Sequence, residues 1–215
     1  MPQLYLLRHA QSEANLRGVL AGPDNSVNLS DKGRKQSVKV SKHLQNINFQ
    51  EIHCSPISRC LQTIQPLLSS KPTIQVVQEV KIQEMNYGQW NGKDLKALSK
   101  KRDWQSIQSS PSKFTFPDGE SFNQLRRRVS SFLTEISDKD GPLLVVSHGD
   151  VIKMMLACTL DLPTDKFQNF VIEPASISIV YYGSKAKNII SVNQKIEKGS
   201  ARDKFTSFLL GGDNA

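Results

Sequence analysis

Histidines and arginines stand close behind three short apolar runs of this chain. Arg8 and His9 follow "LYLL", Arg59 ends the stretch "EIHCSPISR", and His148 follows "LLVVS". A histidine serves as a nucleophile or an acid–base group near neutral pH, and an arginine binds phosphate oxygens through two parallel N–H groups. Four groups that carry or can take positive charge would repel one another unless an anion lay between them. Taken singly each residue also suits a solvated or structural role, but together they predict a phosphoryl-binding site.

The elements that hold these residues alternate between strand and helix. Apolar runs over residues 4–7, 51–54, 73–77 and 143–146 have the length of buried strands. Their alternation with helices predicts an α/β fold, a single domain with a largely parallel central sheet and helices on both faces. The carboxyl ends of parallel strands share one edge, where ligands bind in open α/β sheets, so the four residues are expected to meet there. The segment "SISIVYYGSKAKNIISV" predicts an antiparallel hairpin near the C-terminus.

Two helices carry clear signals for a start or for packing. Ser30 suits the N-cap of a helix over residues 31–46, with Val38 and Leu44 facing inward. The most regular pattern covers 120–137, where apolar residues recur at spacings of three and four: Phe122, Leu125, Val129, Phe132, Leu133 and Ile136. This stripe predicts a helix packed on the core.

Prolines and an aspartate mark the other helix starts. Pro56 suits the first turn of one helix, and Pro66 should kink or restart it. Asp150 is expected to cap an apolar helix from Val151 to Leu160. Helix N-termini after Pro56 and Gly149 would present backbone N–H groups to an anion at the same sheet edge.

The remaining segments are predicted to be surface structure. Residues 93–118 are polar, weakly helical and end in the breaker-rich "FPDGE", which indicates a subregion that covers part of the domain. Substrate selectivity is expected there and in the loops from Asn15 to Asn28, which carry no recognisable substrate code. The predicted domain covers residues 1–195, and residues 196–215 are expected to form a C-terminal tail.

The chain has 215 residues, enough for one domain with a sizeable core. No apolar stretch reaches the ~20 residues that span a bilayer, and no charged leader precedes the first strand, so we expect a cytoplasmic location and no membrane partner.

The cysteines Cys54, Cys60 and Cys158 contain no C-x-x-C pair, which predicts reduced, mostly buried thiols and no zinc site. His43 and His53 are expected to be structural.

The net charge of +8 raises the question of a nucleic-acid partner. Basic residues form two runs, Lys100–Arg102 and Arg126–Arg128. Successive residues on a helix are about 100° apart, so three in a row cannot form one flat phosphate-binding face. We therefore expect solvated helix surface and no nucleic-acid partner, although the positive charge can steer small anionic substrates.

Five motifs occur in order along the chain: "LLRHAQSEAN", "SPISRCLQT", "EMNYGQWNG", "PDGESF" and "VVSHGD". In these motifs the chain resembles the histidine phosphatase superfamily, which has the phosphoglycerate mutase-like fold, and specifically its first branch. The resemblance extends from residue 4 to about residue 182. Ala10 stands where the family usually has glycine. This change is expected to be nearly silent unless the backbone there needs a positive φ, where alanine would cost on the order of 1 kcal/mol.

The resemblance implies a role for each matching residue. The implied catalytic residues are Arg8, His9, Arg59, Glu84 and His148, and the implied phosphate- or substrate-binding residues are Arg8, Asn15, Arg59, Tyr87, His148 and Gly149. His9 would be the nucleophile that forms a phosphohistidine, and Glu84 the proton donor. The second ring nitrogen of His9 would need a hydrogen-bond acceptor, which we expect to be a backbone carbonyl. No metal is expected, because Mg²⁺ prefers oxygen ligands and the pocket is expected to be poor in carboxylates.

Three functions fit this pattern. The first is a metal-independent phosphatase that needs no cofactor and hydrolyses a small phosphorylated metabolite. The alternative is a phosphoglycerate mutase-type isomerase with 2,3-bisphosphoglycerate as cofactor, and a second alternative is a non-catalytic module that binds phosphorylated ligands. In mutases of the family a lysine after the "YG" motif and a pair of adjacent arginines supply further positive charge. Here Leu95 falls about where that lysine would be, and Arg102 has no adjacent arginine, which favours the phosphatase.

Overall fold

A six-stranded sheet forms the centre of the computed structural model, which describes residues 2–184 and 186–196. The strand order is β3-β2-β4-β1-β5-β6. Strands β1 to β4 run parallel, β5 pairs antiparallel with β1, and β6 pairs antiparallel with β5. The strands are β1 Gln3–Arg8, β2 Glu51–Cys54, β3 Gln75–Gln78, β4 Pro142–Ser147, β5 Ile177–Tyr182 and β6 Lys187–Gln194. The predicted mixed sheet and its C-terminal hairpin at one edge are confirmed.

Seven α-helices accompany the sheet in the described part of the chain. They are α1 Glu13–Arg17, α2 Asp31–Leu44, α3 Ser58–Ser70, α4 Leu95–Leu98, α5 Arg102–Ser109, α6 Phe122–Ile136 and α7 Gly149–Thr159. None of these described helices has the length and apolar character that crossing a membrane requires. The predicted tail lies outside the described residues except for Ile196.

Apolar side chains divide into two clusters, one on each face of the sheet. Alternation along β1 places Leu4 and Leu6 in the first cluster and Leu7 in the second. The first cluster includes the buried stripe of α6 and most of α7, and the second includes the inner faces of α2 and α3. All six predicted core residues of α6 are buried. At about 1.5–3 kcal/mol for each fully buried large apolar side chain, these clusters provide most of the stabilisation of the fold.

The register of the parallel strands brings three strand ends to one level. Arg8 is paired with Ser147 across β1 and β4, and Cys54 is paired with Val146 across β2 and β4. The backbone continues this pairing past the strands, because the N–H of His9 donates to the carbonyl of Ser147 at 2.9 Å. The residues that follow β1, β2 and β4 therefore meet at one sheet edge, as predicted.

Helix α2 begins as predicted but turns a different face inward. Ser30 is the N-cap, and its side chain accepts from the N–H of Gly33 at 3.1 Å. Leu44 is buried, whereas Val38 is 45% exposed, so its predicted inward position is wrong. The buried face follows Ser37, and Val38 lies one residue, or about 100°, beyond it on the helix surface.

Prolines affect helix α3 less than predicted. Pro56 lies before the N-cap Ile57, so its predicted place in the first helical turn is wrong, and Pro66 lies inside a continuous helix. The predicted restart at Pro66 is therefore wrong. A proline inside a helix loses one backbone hydrogen bond, and the burial of Ile64 and Leu67 on either side of it stabilises the helix against that loss.

The two basic runs differ in their exposure. Residues 100–102 are exposed, as predicted. In α6, by contrast, Arg126 donates to the carbonyl of Leu162 at 2.7 Å, and Arg128 forms an ion pair with Glu120 at 2.7 Å. The prediction of a solvated surface is therefore wrong for these two arginines, since a guanidinium at the edge of the α6 face can bury its stem and still reach a partner.

Candidate active site

His9 is buried at the carboxyl end of β1, and its ring is held in one tautomer. Its Nδ1 atom lies 2.7 Å from the carbonyl oxygen of Ala10. A carbonyl only accepts, so Nδ1 carries the hydrogen and Nε2 keeps its lone pair. Burial, followed by the charges of Arg8 and Arg59, lowers the pKa of His9 well below its usual value. His9 therefore has a neutral imidazole with Nε2 free, and Ala10 provides the expected backbone carbonyl.

Alanine at position 10 fits the local backbone. Ala10 is not among the four described non-glycine residues with positive φ, and it is fully buried. Its N–H donates to the Oγ1 of Thr63 at 2.9 Å. The replacement of glycine by alanine was expected to be nearly silent if the backbone needs no positive φ at this position. The structure confirms that condition.

Arg59 is almost fully buried at the start of α3, and backbone carbonyls fix its guanidinium. Nη2 donates to the carbonyl of Gly22 at 2.8 Å, and Nη1 donates to that of Asp24 at 3.1 Å. Nη2 also lies 3.3 Å from the Nδ1 of His148. These carbonyls belong to the loop from Asn15 to Asn28, which therefore positions this arginine.

Arg8 is less completely satisfied. Its Nη1 donates to the carbonyl of Ile172 at 2.5 Å, while its Nε is buried and has no described hydrogen-bond partner. Burial lowers the pKa of Arg8, and the neighbouring Glu84 and Asp150 oppose that effect. A half-buried guanidinium whose buried Nε–H is unpaired favours an anionic ligand, because an unmet charged donor costs more than a neutral one.

His148 directly follows β4 and occupies the N-cap of α7. The guanidinium of Arg59 can only donate, so Nδ1 of His148 accepts, and Nε2 donates to the Oγ of Ser55 at 2.8 Å. Burial and the charge of Arg59 lower the pKa of His148 well below its usual value. The two histidine rings meet edge to face with centroids 5.2 Å apart. Ser55 was missed in the sequence, although it opens the quoted motif "SPISR".

Glu84 follows a short 3₁₀ turn at Val80–Ile82 and enters the same site. Its Oε2 lies 3.7 Å from the Nδ1 of His148, and its Oε1 accepts from the N–H of Met85 at 3.1 Å. Burial, followed by the charge of Asp150, raises the pKa of Glu84. A carboxyl with a raised pKa keeps its proton to higher pH and can serve as a general acid.

Asp150 was predicted to cap α7, and this prediction is wrong because His148 is the N-cap residue. Asp150 instead accepts from the hydroxyl of Tyr87 at 2.9 Å and from the ammonium of Lys153 at 3.1 Å. Burial would raise the pKa of Asp150, but Lys153 and Tyr87 lower it overall. Burial and the charge of Asp150 raise the pKa of Tyr87 well above its usual value. Asp150 is thus a half-buried anion beside Glu84.

Asn15 and Gly149 also lie at the cavity, in structural positions. The Oδ1 of Asn15 accepts from the backbone N–H of Ser12 at 3.1 Å, in the capping box of α1. This leaves the amide N–H₂ of Asn15 as its group for a ligand. Gly149 is the first residue of α7, and a Cβ there would lie 3.3 Å from the Cζ of Arg8. Glycine therefore leaves room for the guanidinium of Arg8 beside the helix N-terminus.

A cavity of about 430 Å³ opens onto these groups. One part of its lining is polar and contains the predicted catalytic residues except His148, whose Nδ1 lies 3.3 Å from Arg59 and 3.7 Å from Glu84. Another part is largely apolar, and residues from 93–118 contribute to the lining as predicted: Leu95, Trp104, Ile107, Gln108 and Phe116. The expected shortage of carboxylates is wrong, because Glu84 and Asp150 both line the cavity.

Two histidines and three cysteines do not line the cavity. His43 is half-buried on α2, and His53 is buried with its ring against Phe132 at 5.4 Å. Neither lines the cavity, in agreement with the structural role expected of both. The three cysteines are buried and unpaired, as predicted, and Cys60 contacts the Nε2 of His148 at 3.5 Å.

Three residues with donor types that bind metal ions lie close together in this site. His9, Glu84 and His148 each offer one ligand atom, and these atoms lie within 4.8 Å of one another. The guanidiniums of Arg8 and Arg59 adjoin the same group and would repel a cation. A metal there would also occupy the lone pair on the Nε2 of His9. The expectation of no metal stays a prediction.

Comparison with known proteins places the chain in a family. The sequence profile of the histidine phosphatase superfamily (branch 1) matches residues 4–195. Phosphoserine phosphatase 1 of Hydrogenobacter thermophilus is 30% identical over 200 residues, covering 90% of this chain and 92% of that protein. The adenosylcobalamin/alpha-ribazole phosphatase of Escherichia coli is 24% identical over 205 residues, covering 90% and 96%. The solved structure of Bacillus stearothermophilus YhfR superposes with a TM-score of 0.83 at 23% identity, covering 92% and 100%.

The chain therefore belongs to branch 1 of the histidine phosphatase superfamily. Its fold is that of the phosphoglycerate mutase-like structures, and it is a phosphatase-type enzyme of this family. The interpretation that rested on five ordered motifs is confirmed at this level.

Proposed function

We propose that this protein hydrolyses small phosphate monoesters through a phosphohistidine on His9, without a metal ion. One observation carries the proposal: the Nδ1–H of His9 is bound to the carbonyl of Ala10, which leaves a neutral Nε2 beside Arg8 and Arg59. An imidazole held in that tautomer, next to two guanidiniums, is arranged to attack a bound phosphoryl group.

The reaction has two steps. In the first, the Nε2 of His9 forms a bond to phosphorus while the ester P–O bond breaks, and Glu84 gives its proton to the leaving oxygen. In the second, water attacks phosphorus, its proton passes to the Glu84 carboxylate, and the P–N bond breaks to release phosphate. The raised pKa of Glu84 suits the first step, and proton loss in that step makes the same group the base of the second.

Charge on the transferring oxygens is balanced by fixed donors. Arg59 is held by two carbonyls, Arg8 has an unpaired Nε–H, and α7 begins at Gly149 with its free N–H groups near the site. Donors fixed before the substrate arrives need no reorganisation during the reaction. His148 takes part through its contact with Arg59, because its Nδ1 accepts from that guanidinium and helps to hold it in place.

Two substrates are the natural first tests, namely phosphoserine and alpha-ribazole phosphate, because the relatives' names specify activities on these compounds. The partner we propose is a small phosphorylated metabolite.

The domain boundary at residue 195 is supported by the match of the family profile up to that residue. A cytoplasmic location and the lack of a nucleic-acid partner stay predictions from the sequence.

The experiment compares wild-type protein with His9→Ala and with His43→Ala as a matched histidine outside the cavity. We expect release of inorganic phosphate from phenyl phosphate by wild type and His43→Ala, and none above background from a folded His9→Ala. A mutase would instead convert 3-phosphoglycerate, with a trace of 2,3-bisphosphoglycerate, to 2-phosphoglycerate at least tenfold faster than it releases phosphate. A binding module would bind phenyl phosphate and release none, and either result would contradict the proposal.

A further inference from the structure

We infer that the substrate carries an uncharged, ring-bearing organic group that packs against an apolar wall outside the phosphate pocket. This inference rests on the proposed function and names the substrate class for the same site. The apolar wall is formed by Leu20, Trp90, Leu95, Trp104, Phe116 and Phe170, all of which line the cavity.

Four members of the apolar wall keep surface that a ligand can cover. Leu20, Leu95, Trp104 and Phe170 are only half-buried. A ligand that covers this apolar surface removes it from water, which stabilises the complex. Flat aromatic rings among these side chains favour a planar partner, because rings stack or meet edge to face at short range.

The apolar wall is held in place by the structure behind it. Trp90 and Phe116 are buried, and their rings meet edge to face with centroids 5.4 Å apart. The loop after α1 is tied to α4, because the N–H of Leu20 donates to the carbonyl of Lys93 at 2.9 Å and the N–H of Leu95 donates to that of Gly18 at 2.8 Å. A wall fixed before binding loses little conformational freedom when the ligand arrives.

Charges at the cavity argue against a substrate with a carboxylate. Among the described residues that line it, the cations are Arg8, Arg59 and Lys153. The two arginines belong to the phosphate pocket. Lys153 is held by Asp150 at 3.1 Å and by the Oε1 of Gln168 at 2.9 Å. A carboxylate placed against the apolar wall would therefore meet apolar side chains or compete with Asp150 for Lys153, and burial of an unpaired carboxylate is costly.

The test compares 3-phenylpropyl phosphate with 3-carboxypropyl phosphate. Both are primary alkyl esters with the same three-carbon linker, so the leaving alcohols are closely matched and the difference reports on the apolar wall. We expect kcat/KM for the phenyl ester to be at least about 30-fold higher, the factor expected when one phenyl ring is buried.

Two variants probe the apolar wall, and one is a matched control. We expect Trp104→Ala to lower the ratio of the two kcat/KM values about tenfold, mainly through KM for the phenyl ester. Leu95→Lys should lower the ratio by improving the carboxylate ester. Gln105→Ala changes an exposed neighbour on α5 that does not line the cavity, and it should keep the wild-type ratio.

The outcomes separate this inference from the proposed function. Release of phosphate from both esters with a wild-type ratio below three would overturn the inference alone. An unchanged ratio in both folded variants would also overturn it, because two independent members of the apolar wall would then be without effect. If the enzyme released phosphate from neither ester, the proposed function and the inference would both be overturned.

Discussion

The hydroxyl of Ser55 lies 2.8 Å from the Nε2 of His148 and fixes which nitrogen of that ring faces the site. With Nε2–H donated to Ser55, the Nδ1 atom accepts from Arg59 and lies 3.7 Å from Glu84. A buried serine after β2 thereby sets the tautomer of a histidine at the end of β4. The orientation of His148 depends on the strand register as much as on its own position.

Ser55→Ala should lower kcat/KM for phenyl phosphate about tenfold to a hundredfold and weaken inhibition by inorganic phosphate. The variant leaves the buried Nε2–H without its acceptor, which costs roughly 1–3 kcal/mol and favours the other tautomer, whose Nδ1–H faces the donor Arg59. Steady-state kinetics and urea unfolding check both effects. Ser69→Ala, an exposed serine on α3, is the control. Wild-type kinetics in a folded Ser55→Ala would contradict this account of His148.

The pH profile of kcat/KM should shift when Asp150 is changed to asparagine. Burial and the Asp150 anion both raise the pKa of Glu84, so removal of the anion lowers that pKa. A general acid works only while protonated, and activity is lost as the pH rises through its pKa. We expect the alkaline limb of Asp150→Asn to move to lower pH.

Glu135→Gln is the control for that shift, because Glu135 pairs with Lys81 on the surface and lies outside the cavity. The profile of this control should match wild type. An alkaline limb that stays in place or moves to higher pH in Asp150→Asn would show that Glu84 is not the group titrating there.

Glu84→Gln should slow alkyl esters far more than aryl esters. A general acid contributes roughly 10²–10⁴ in rate, and most of that is needed when the leaving oxygen is strongly basic. We expect ethyl phosphate hydrolysis to fall by at least a hundredfold more than hydrolysis of 4-nitrophenyl phosphate, measured as kcat/KM. Equal losses on the two esters would assign Glu84 a structural role.

Phosphate release should persist in the presence of a strong chelator. His9, Glu84 and His148 lie close enough to share an ion, but Arg8 and Arg59 oppose one, and the proposed steps use none. Dialysis against EDTA followed by assay with phenyl phosphate checks this expectation. Loss of activity that returns on addition of a divalent metal would identify those three residues as a metal site.

Most of the fold and the charged half of the site follow from the sequence. Strand ends read from apolar runs place Arg8, His9, Arg59 and His148 at one edge, because parallel strands share their direction. The identity of individual partners does not follow in the same way. Ser55 reaches His148 through the register of β2 against β4, which no single segment encodes.

The apolar wall and the role of Asp150 could not be predicted from the sequence, because both depend on contacts between distant segments. Asp150 stands where a helix cap is common, and only the approach of Tyr87 and Lys153 shows that it serves as a half-buried anion instead. The apolar wall collects side chains from several separated helices and loops between residues 20 and 170, so it produces no local pattern. Val38 was misplaced because one residue of helix rotation decides between core and solvent.

The measurement that tests the central claim most directly is the position of the phosphoryl group on the enzyme. Wild-type protein is incubated with ³²P-labelled phenyl phosphate and quenched rapidly without acid. After digestion, the radioactivity identifies the phosphorylated peptide, and ³¹P NMR of its unlabelled carrier phosphoryl group locates the bond. Because the Nδ1–H of His9 is held by the carbonyl of Ala10 at 2.7 Å, we predict an acid-labile phosphoryl group on the Nε2 of His9 and none in His9→Ala. A label on Nδ1, on another residue, or equal labelling of His9→Ala would contradict the account.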